Sequence, residues 1–568
     1  MRILTLTAVS CLAVALAGCT LAGSTTSSVF APDSTSETQA YGAYLSAHFA
    51  ADQYDLKDAA KFYRKSLADD PTNAQLLTLA FFYSASAGEI DDAAGLAKQL
   101  VAAQPDDRAG RLTLAVAALK HEDYKAARAE IAKSAKGPYP SILVALIDAW
   151  GAVGMGDKST AEADFKSLHA MEGADALATF TEALYADFTG DADKADALFR
   201  KELAVPQPSM RMIDAYGRFL ERHGRAKEAA ELYRNLPADP AYGPVKEAGL
   251  KRIAAGVTPP PLIVHPEDGV AEALFGIASS LNDEDNVEIS ILYLRLALYL
   301  EPSLDLADLA LADKLEGMER YDDAIAVFRN VDAGSPYARV ATIAIAIDEM
   351  RLKETDKAIA DLKALTAANP DYVDGWTSLG DAEREAKDYA GATQAYARAI
   401  AAAGTPVPQT AWSLYFARAV AEESANDFPA EEADLQAALK LKPDEPQVLN
   451  YLGYTWVDQH RNIDQALVML EKARSLAPKD GYIIDSVGWA YYRLGRYGDA
   501  AKTLEDAVLL VPGDPTINDH LGDAYWMVGK KLDARFQWSH ALAFGAEDGE
   551  KAKIEKKLEV GLTADDKS

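Results

Sequence analysis

The stretch of this 568-residue chain that comes nearest to a reactive loop is Gly151-Ala152-Val153-Gly154-Met155-Gly156-Asp157-Lys158-Ser159-Thr160. A phosphate cradle needs a strand before it, four residues between its glycines and a Lys directly after the second Gly. Here Asp157 intrudes beside the place of the phosphate, and the segment reads as the turn between two helices before Ala161. The acidic turns Asn282-Asp283-Glu284-Asp285-Asn286 and Asp191-Ala192-Asp193-Lys194-Ala195-Asp196 lack the loop Gly and the terminal Glu of a calcium loop. They read as solvated turns with helix N-cap character. The eight histidines form no HExxH pair; His520 is the one placed on a helix that faces a ligand. No GxSxG elbow or Ser/His/Asp order occurs, although triads assemble in space rather than in sequence. These residues point to a chain that is not an enzyme and calls for no metal and no cofactor.

What positions these residues is a repeated helical hairpin. In GYIIDSVGWAYYRLGRYGDAAKTLEDAVLLVPGD, residues 481–514, a helix starting near Tyr482 places Ile484, Val487, Gly488 and Tyr491 on one face of a 3.6-residue period. Gly495 ends it. A second helix from Tyr497 aligns Ala500, Leu504 and Ala507 until Pro512 removes a backbone donor. Gly488 and Ala500 stand where the helices cross, so the backbones come close. The small residue recurs 34 positions apart as Ala59, Ala93, Ala127, Ala161, Ala195 and Ala229, then as Ser290, Ala324, Ala358 and Ala392, then as Ala466, Ala500 and Ala534. Between the last two series the phase slips around Phe428 to Leu439, where a second helix still ends before Pro443. The spacing gives about 14 hairpins, none of which buries its apolar face alone.

The pattern of Leu-Gly, Tyr, Ala, aromatic, Ala and Pro resembles the tetratricopeptide (TPR) repeat, most closely at Trp376, Leu379, Gly380; Leu452, Gly453; and Leu521, Gly522, Tyr525. The expected fold is an all-α TPR superhelical solenoid in two blocks. In that family first helices line the concave wall. Carried over, the inward positions of the best C-terminal repeats include Asn450, Tyr454 and Asp458; Tyr482, Asp485, Trp489, Tyr492 and Arg493; and Thr516, Asp519, Asp523 and Trp526. Aromatics interleaved with carboxylates suit an extended or helical segment with apolar and basic side chains. The alternative is that Trp489, Tyr492 and Trp526 pack between repeats.

The net charge of −30, from 57 basic and 87 acidic residues, disfavours nucleic acid and anionic membrane surfaces, whose binding needs a basic footprint. Both cysteines, Cys11 and Cys19, lie near the start, so the repeats hold no disulfide or thiol nucleophile. Residues 1–18 read as a signal peptide, with an apolar run from Ile3 to Ala17 too short to span a bilayer. Leu16-Ala17-Gly18-Cys19 resembles the lipobox of bacterial lipoproteins, which implies cleavage before Cys19 and acylation there. Several acyl chains, at roughly 0.8 kcal/mol per buried CH₂, hold a protein firmly to a membrane. Thr20 rather than Asp follows the Cys, and the outer membrane's periplasmic face is the expected address. Residues 19–39 form the lipidated Cys and a Ser/Thr-rich tether reaching on the order of 25 Å. Then come a first block over 40–236, a proline-rich joint over 237–268, a second block over 269–545, and a capping helix with tail over 546–568. The joint's prolines have an alternative role in covering a solenoid edge.

A lipobox followed by a long TPR array that ends in GYIIDSVGWAYYRLGRYGDA and INDHLGDAYWMVGK resembles the Gram-negative TPR lipoproteins that are adaptors for periplasmic carboxyl-terminal processing proteases. The resemblance implies protein partners, namely such a protease and its murein-hydrolase substrates. The alternative is a scaffold for envelope assembly, serving an outer-membrane protein, pilus-secretin or polysaccharide-export machine.

Overall fold

The computed structural model describes residues 34–135, 138–171, 173–204, 208–237, 240–281 and 286–562. Cys19, the signal segment, most of the tether and residues 282–285 lie outside them. Among the described residues there are 30 α-helices and no strand. Helices Gly243–Ala255 and Asp548–Val560 stand apart from the pairing, and the rest follow one another as about 14 hairpins. The first helix, Ser34–Asp52, begins inside the stretch read as tether. None of these helices is long and apolar enough to cross a membrane.

In the hairpin at Gly481–Asp514, Asp480 caps the first helix by accepting from the N–H groups of Tyr482 and Ile483. That helix runs Gly481–Arg493, Gly495 turns the chain in the left-handed region at φ 74°, and the second helix runs Tyr497–Leu510. A Cβ on Gly488 would stand 2.6 Å from Leu504 Cγ, so the absent side chain sets how closely the two helices cross. All three series of small residues, from Ala59 to Ala534, are fully buried, because each sits on the fourth residue of a second helix where its partner leaves no room.

Two regularities were not read from the sequence. Among the described residues, one in the left-handed region recurs in the turns of successive hairpins, at Tyr54, Gly88, Glu122, Gly156, Gly190 and Gly224, and again at Glu319, Lys353 and Lys387. Where it is not Gly, the turn costs roughly 1–2 kcal/mol, and the hairpin's packing holds it. The second concerns the phase slip. In helix Phe428–Leu441 the fourth residue is Glu431, fully buried, and its carboxylate accepts a hydrogen bond from Thr455 Oγ1 at 2.8 Å. A hydroxyl from the next repeat thus replaces the usual small-residue contact.

The chain falls into two compact units, one running to Ala117 with Ala129–Ala135, the other comprising Ala118–Arg128 and Lys136–Ser568. In the first, Ser34–Asp52 pairs with Leu56–Asp69 and Ala74–Ser86 with Ile90–Ala103, and the Tyr63 and Tyr83 rings stack at 5.2 Å. In the second, the segment that resembled a phosphate loop is resolved into packing. Gly151 and Gly154 lie inside helix Pro138–Gly154, where a Cβ would overlap Arg128 and Tyr124. Asp157 caps the following helix by accepting from Thr160 N–H. Only residues 155–157 form the turn.

The proline-rich segment contains a short 3₁₀ turn, Pro240–Tyr242, then helix Gly243–Ala255 and an irregular run to His265. Helix Pro266–Ser280 then packs against Pro138–Gly154. The Trp150 ring occupies the space a side chain on Gly269 would need, and Tyr124 Oη donates to Glu267 at 2.9 Å. The segment therefore brings later helices back against earlier ones.

Candidate partner-binding groove

Three first helices carry the candidate residues: Pro446–Asp458, Gly481–Arg493 and Pro515–Met527. Glu445, Asp480 and Asp514 cap them, and their parallel register brings side chains from adjacent repeats together. The structure divides the candidates into an open group, a stacked group and a covered group.

The open group lines a cavity of about 320 Å³. Asn450, Tyr454 and Asp485 contribute to it, as do Tyr482 and Thr516 from neighbouring inward positions. Its charged lining residues are Glu423, Asp485 and Asp514, all acidic. Asn450 Oδ1 is buried without a hydrogen-bond partner. Glu423 and Tyr451 were missed by the sequence reading; Tyr451 Oη donates to Glu423. Glu423 comes from the repeat whose phase had slipped, so no periodic signal marked it, while Tyr451 lies on helix Pro446–Asp458 beside the inward position Asn450.

The stacked group is built on Trp489. Its ring lies on the His520 imidazole at 4.0 Å and on Tyr492 at 4.7 Å, nearly parallel to both. His520 Nδ1 meets the two Asp485 oxygens at 3.0 and 3.1 Å, fixing the ring in place. Burial alone would depress this imidazole's pKa, but Asp485, with Asp519 and Asp523 behind it, outweighs that and raises it. An Asp–His pair is two parts of an acyl-transfer relay, yet among the described residues no hydroxyl or thiol hydrogen-bonds to His520. Nor does any cluster of three potential ligands there have the geometry to hold a metal. Arg493 extends over the edge of Trp489 at 5.8 Å and reaches His460 Nδ1 at 2.7 Å, while Asp458 is solvent-exposed.

The covered group is Asp519, Asp523 and Trp526. Lys557, from the terminal helix Asp548–Val560, places its ammonium 2.7 and 2.9 Å from the Asp519 oxygens and 2.8 Å from Asp523 Oδ2. Trp538 Nε1 donates to Asp523 Oδ1 at 2.9 Å. Burial, and the neighbouring Asp519 charge, push the Asp523 carboxyl up, with Lys557 and Trp538 opposing. Trp526 lies beneath Gly561 and under the Lys531 ammonium, 3.7 Å from its ring centre. Ile554 and Leu562 of the terminal segment are buried. The sequence indicated a terminal cap but gave no sign that a lysine from it would neutralise two inward carboxylates.

The tetratricopeptide-repeat model matches residues 85–141, 343–406 and 488–546. The TPR repeat-containing protein PA4667 of Pseudomonas aeruginosa is 37% identical over 92 residues, which is 16% of this chain and 16% of that protein; the match thus spans about a sixth of the relative's length. Among solved structures, the Cut9-Hcn1 hetero-tetramer of the APC/C matches over 93% of this chain and 97% of its own, at 15% identity and a TM-score of 0.37. Yeast Tom70 matches over 92% and 96%, at 13% identity and a TM-score of 0.34. Three stretches of this chain match tetratricopeptide repeats, and its described residues fold as a succession of helical hairpins.

Proposed function

We propose that this protein is a non-enzymatic scaffold that binds other polypeptides. It is held through acylated Cys19 on the periplasmic face of the outer membrane and presents murein hydrolases to a carboxyl-terminal processing protease. Support for polypeptide binding rests on one observation above the others. The cavity shared by consecutive first helices has Tyr451, Tyr454 and Tyr482 in its wall, and carboxylates are its charged groups. Such a lining accepts a segment with basic and apolar side chains, with tyrosines supplying contact area at low entropic cost. The adaptor role and the anchor draw their support from the lipobox-like Leu16-Ala17-Gly18-Cys19 and the terminal repeats. Holding protease and substrate on one tethered body raises their effective concentration.

The test places a photocrosslinking amino acid at Tyr482, which is 48% exposed in the cavity wall, and at Leu509, which is 81% exposed on a second helix. Crosslinks from position 482 to a processing protease or a murein hydrolase, with none from 509, are expected. Equal crosslinking from both, or products that contain neither class, refutes the reading. In the same cells Cys19→Ser moves the protein to the soluble fraction, and continued sedimentation with membranes refutes lipid anchoring.

A further inference from the structure

A second concavity, of about 940 Å³, lies among the second unit's helices, far along the chain from the aromatic groove. One wall is helix Gly243–Ala255 with the following Pro259 and Pro260, and the facing wall is helix Ala338–Arg351. Its charged lining runs against the rest of the molecule. Among the described residues, Arg218, Lys251, Arg252, Arg329 and Arg339 face it, and Glu247 is the one acidic residue that does, whereas the whole chain has 57 basic and 87 acidic residues. A cleft of one sign with low-dielectric walls concentrates ligands of the opposite sign, and here the surrounding negative surface sharpens the contrast.

These cations are not equally available. Arg252 is bidentate on Glu221 at 2.8 and 3.1 Å, and Arg218 Nε lies 2.9 Å from Asp214. Arg339 pairs with Glu247 and covers the Tyr372 ring. Arg329 is 53% exposed and only 3.4 Å from the buried Glu349. Lys251 is exposed and has no ion-pair partner among the described residues. The remaining wall is apolar and stiff, with Pro244, Val257, Pro259, Pro260 and Phe328. Prolines offer no N–H groups to pair with an added strand, so recognition must run through side chains. A hydrated polyanion would leave these walls uncovered, whereas a polypeptide with carboxylates between apolar residues fills both.

We propose that this cavity binds an acidic polypeptide segment, with Lys251 and Arg339 reading its carboxylates and the proline wall taking its apolar side chains. The site is independent of the tyrosine-lined cavity, which selects the opposite charge.

The experiment measures fluorescence anisotropy of a labelled Glu/Leu peptide titrated with the full mature chain. Saturable binding is expected. It weakens as salt rises from about 0.1 M to about 1 M, where the Debye length falls from about 10 Å to about 3 Å. Lys251→Glu weakens it by about tenfold or more, while Glu247→Gln, which releases Arg339, tightens it by about threefold. The opposite signs separate a binding role from damage to the fold, since misfolding lowers affinity in both variants. A Lys/Leu peptide and polyphosphate serve as competitors and displace little. Absence of saturable binding, equal affinity in both variants, or displacement by polyphosphate as effective as by the acidic peptide each overturns the proposal.

Discussion

Lys557→Met tests whether the terminal helix is held in place by charge or by apolar burial. In the native protein the ammonium makes three contacts of 2.7–2.9 Å with Asp519 and Asp523, and both carboxylates are buried. Removing one partner of a buried ion pair costs about 3–5 kcal/mol, because the other charge is left uncompensated. Against this, burial of Ile554 and Leu562 supplies about 3–6 kcal/mol, taking about 1.5–3 kcal/mol for each, before the entropy of ordering the segment is subtracted. The two are similar, and among the described residues the one helix that this helix packs against extensively is Lys531–Ala543, so the loss appears as local undocking. Hydrogen exchange of amides 548–560 should accelerate by about two to four orders of magnitude, at about 1.36 kcal/mol per tenfold, with a change in Trp526 fluorescence.

The pH dependence has a definite sign. Burial raises the Asp523 carboxyl and Lys557 opposes that rise, so without the lysine docking raises it further above the value near 4 that it has when freed. Docking of the variant is therefore fully present below about pH 4 and lost as pH rises through the raised pKa. Combining Lys557→Met with Asp519→Asn and Asp523→Asn removes the uncompensated charge, keeps an acceptor for Trp538, and should largely restore protection at neutral pH. Unchanged protection in Lys557→Met at neutral pH would refute the ion-pair account. So would a triple variant that stays undocked.

Two further outcomes follow from the packing and from a buried acid. Gly488→Ala forces a methyl to 2.6 Å from Leu504 Cγ and should cost about 1–3 kcal/mol, read as a lower urea midpoint; an unchanged midpoint would mean that the two helices separate freely. Asp308 is 1% exposed, its Oδ2 has no hydrogen-bond partner, and burial pushes its pKa up to about 6. A raised native pKa gives stability that is complete below the unfolded value near 4 and declines as pH rises through about 6. Asp308→Asn should then gain about 1–3 kcal/mol at pH 7, at about 1.36 kcal/mol per pKa unit, and little at pH 4. Paired urea titrations at the two pH values check this, and a variant less stable than the parent at pH 7 contradicts it.

The repeats were legible because they are local. A helix placing a small residue every 34 positions, a turn, and a proline at the end are each written within one hairpin, and every member of the three series lies in the interior. The order of secondary structure near Gly481 and Tyr497 follows the same local chemistry. The candidate residues of successive first helices could be grouped because they share that period.

What each inward residue does was decided only by the fold. Asp485 and Asp519 occupy the same place in successive repeats, yet Asp485 holds His520 while Asp519 is neutralised by Lys557, a lysine beyond the last repeat. Trp489 stacks on its neighbours and Trp526 lies beneath Gly561, so equivalent aromatics have different surroundings. The basic cavity brings Lys251 and Arg339 to opposite walls across nearly 90 residues of chain, with no repeat in register to announce it. Periodicity determines which face a side chain takes, since that depends on residues three and four positions away. Its ionisation, covering and partner depend on elements distant in sequence, and those only the tertiary structure supplies.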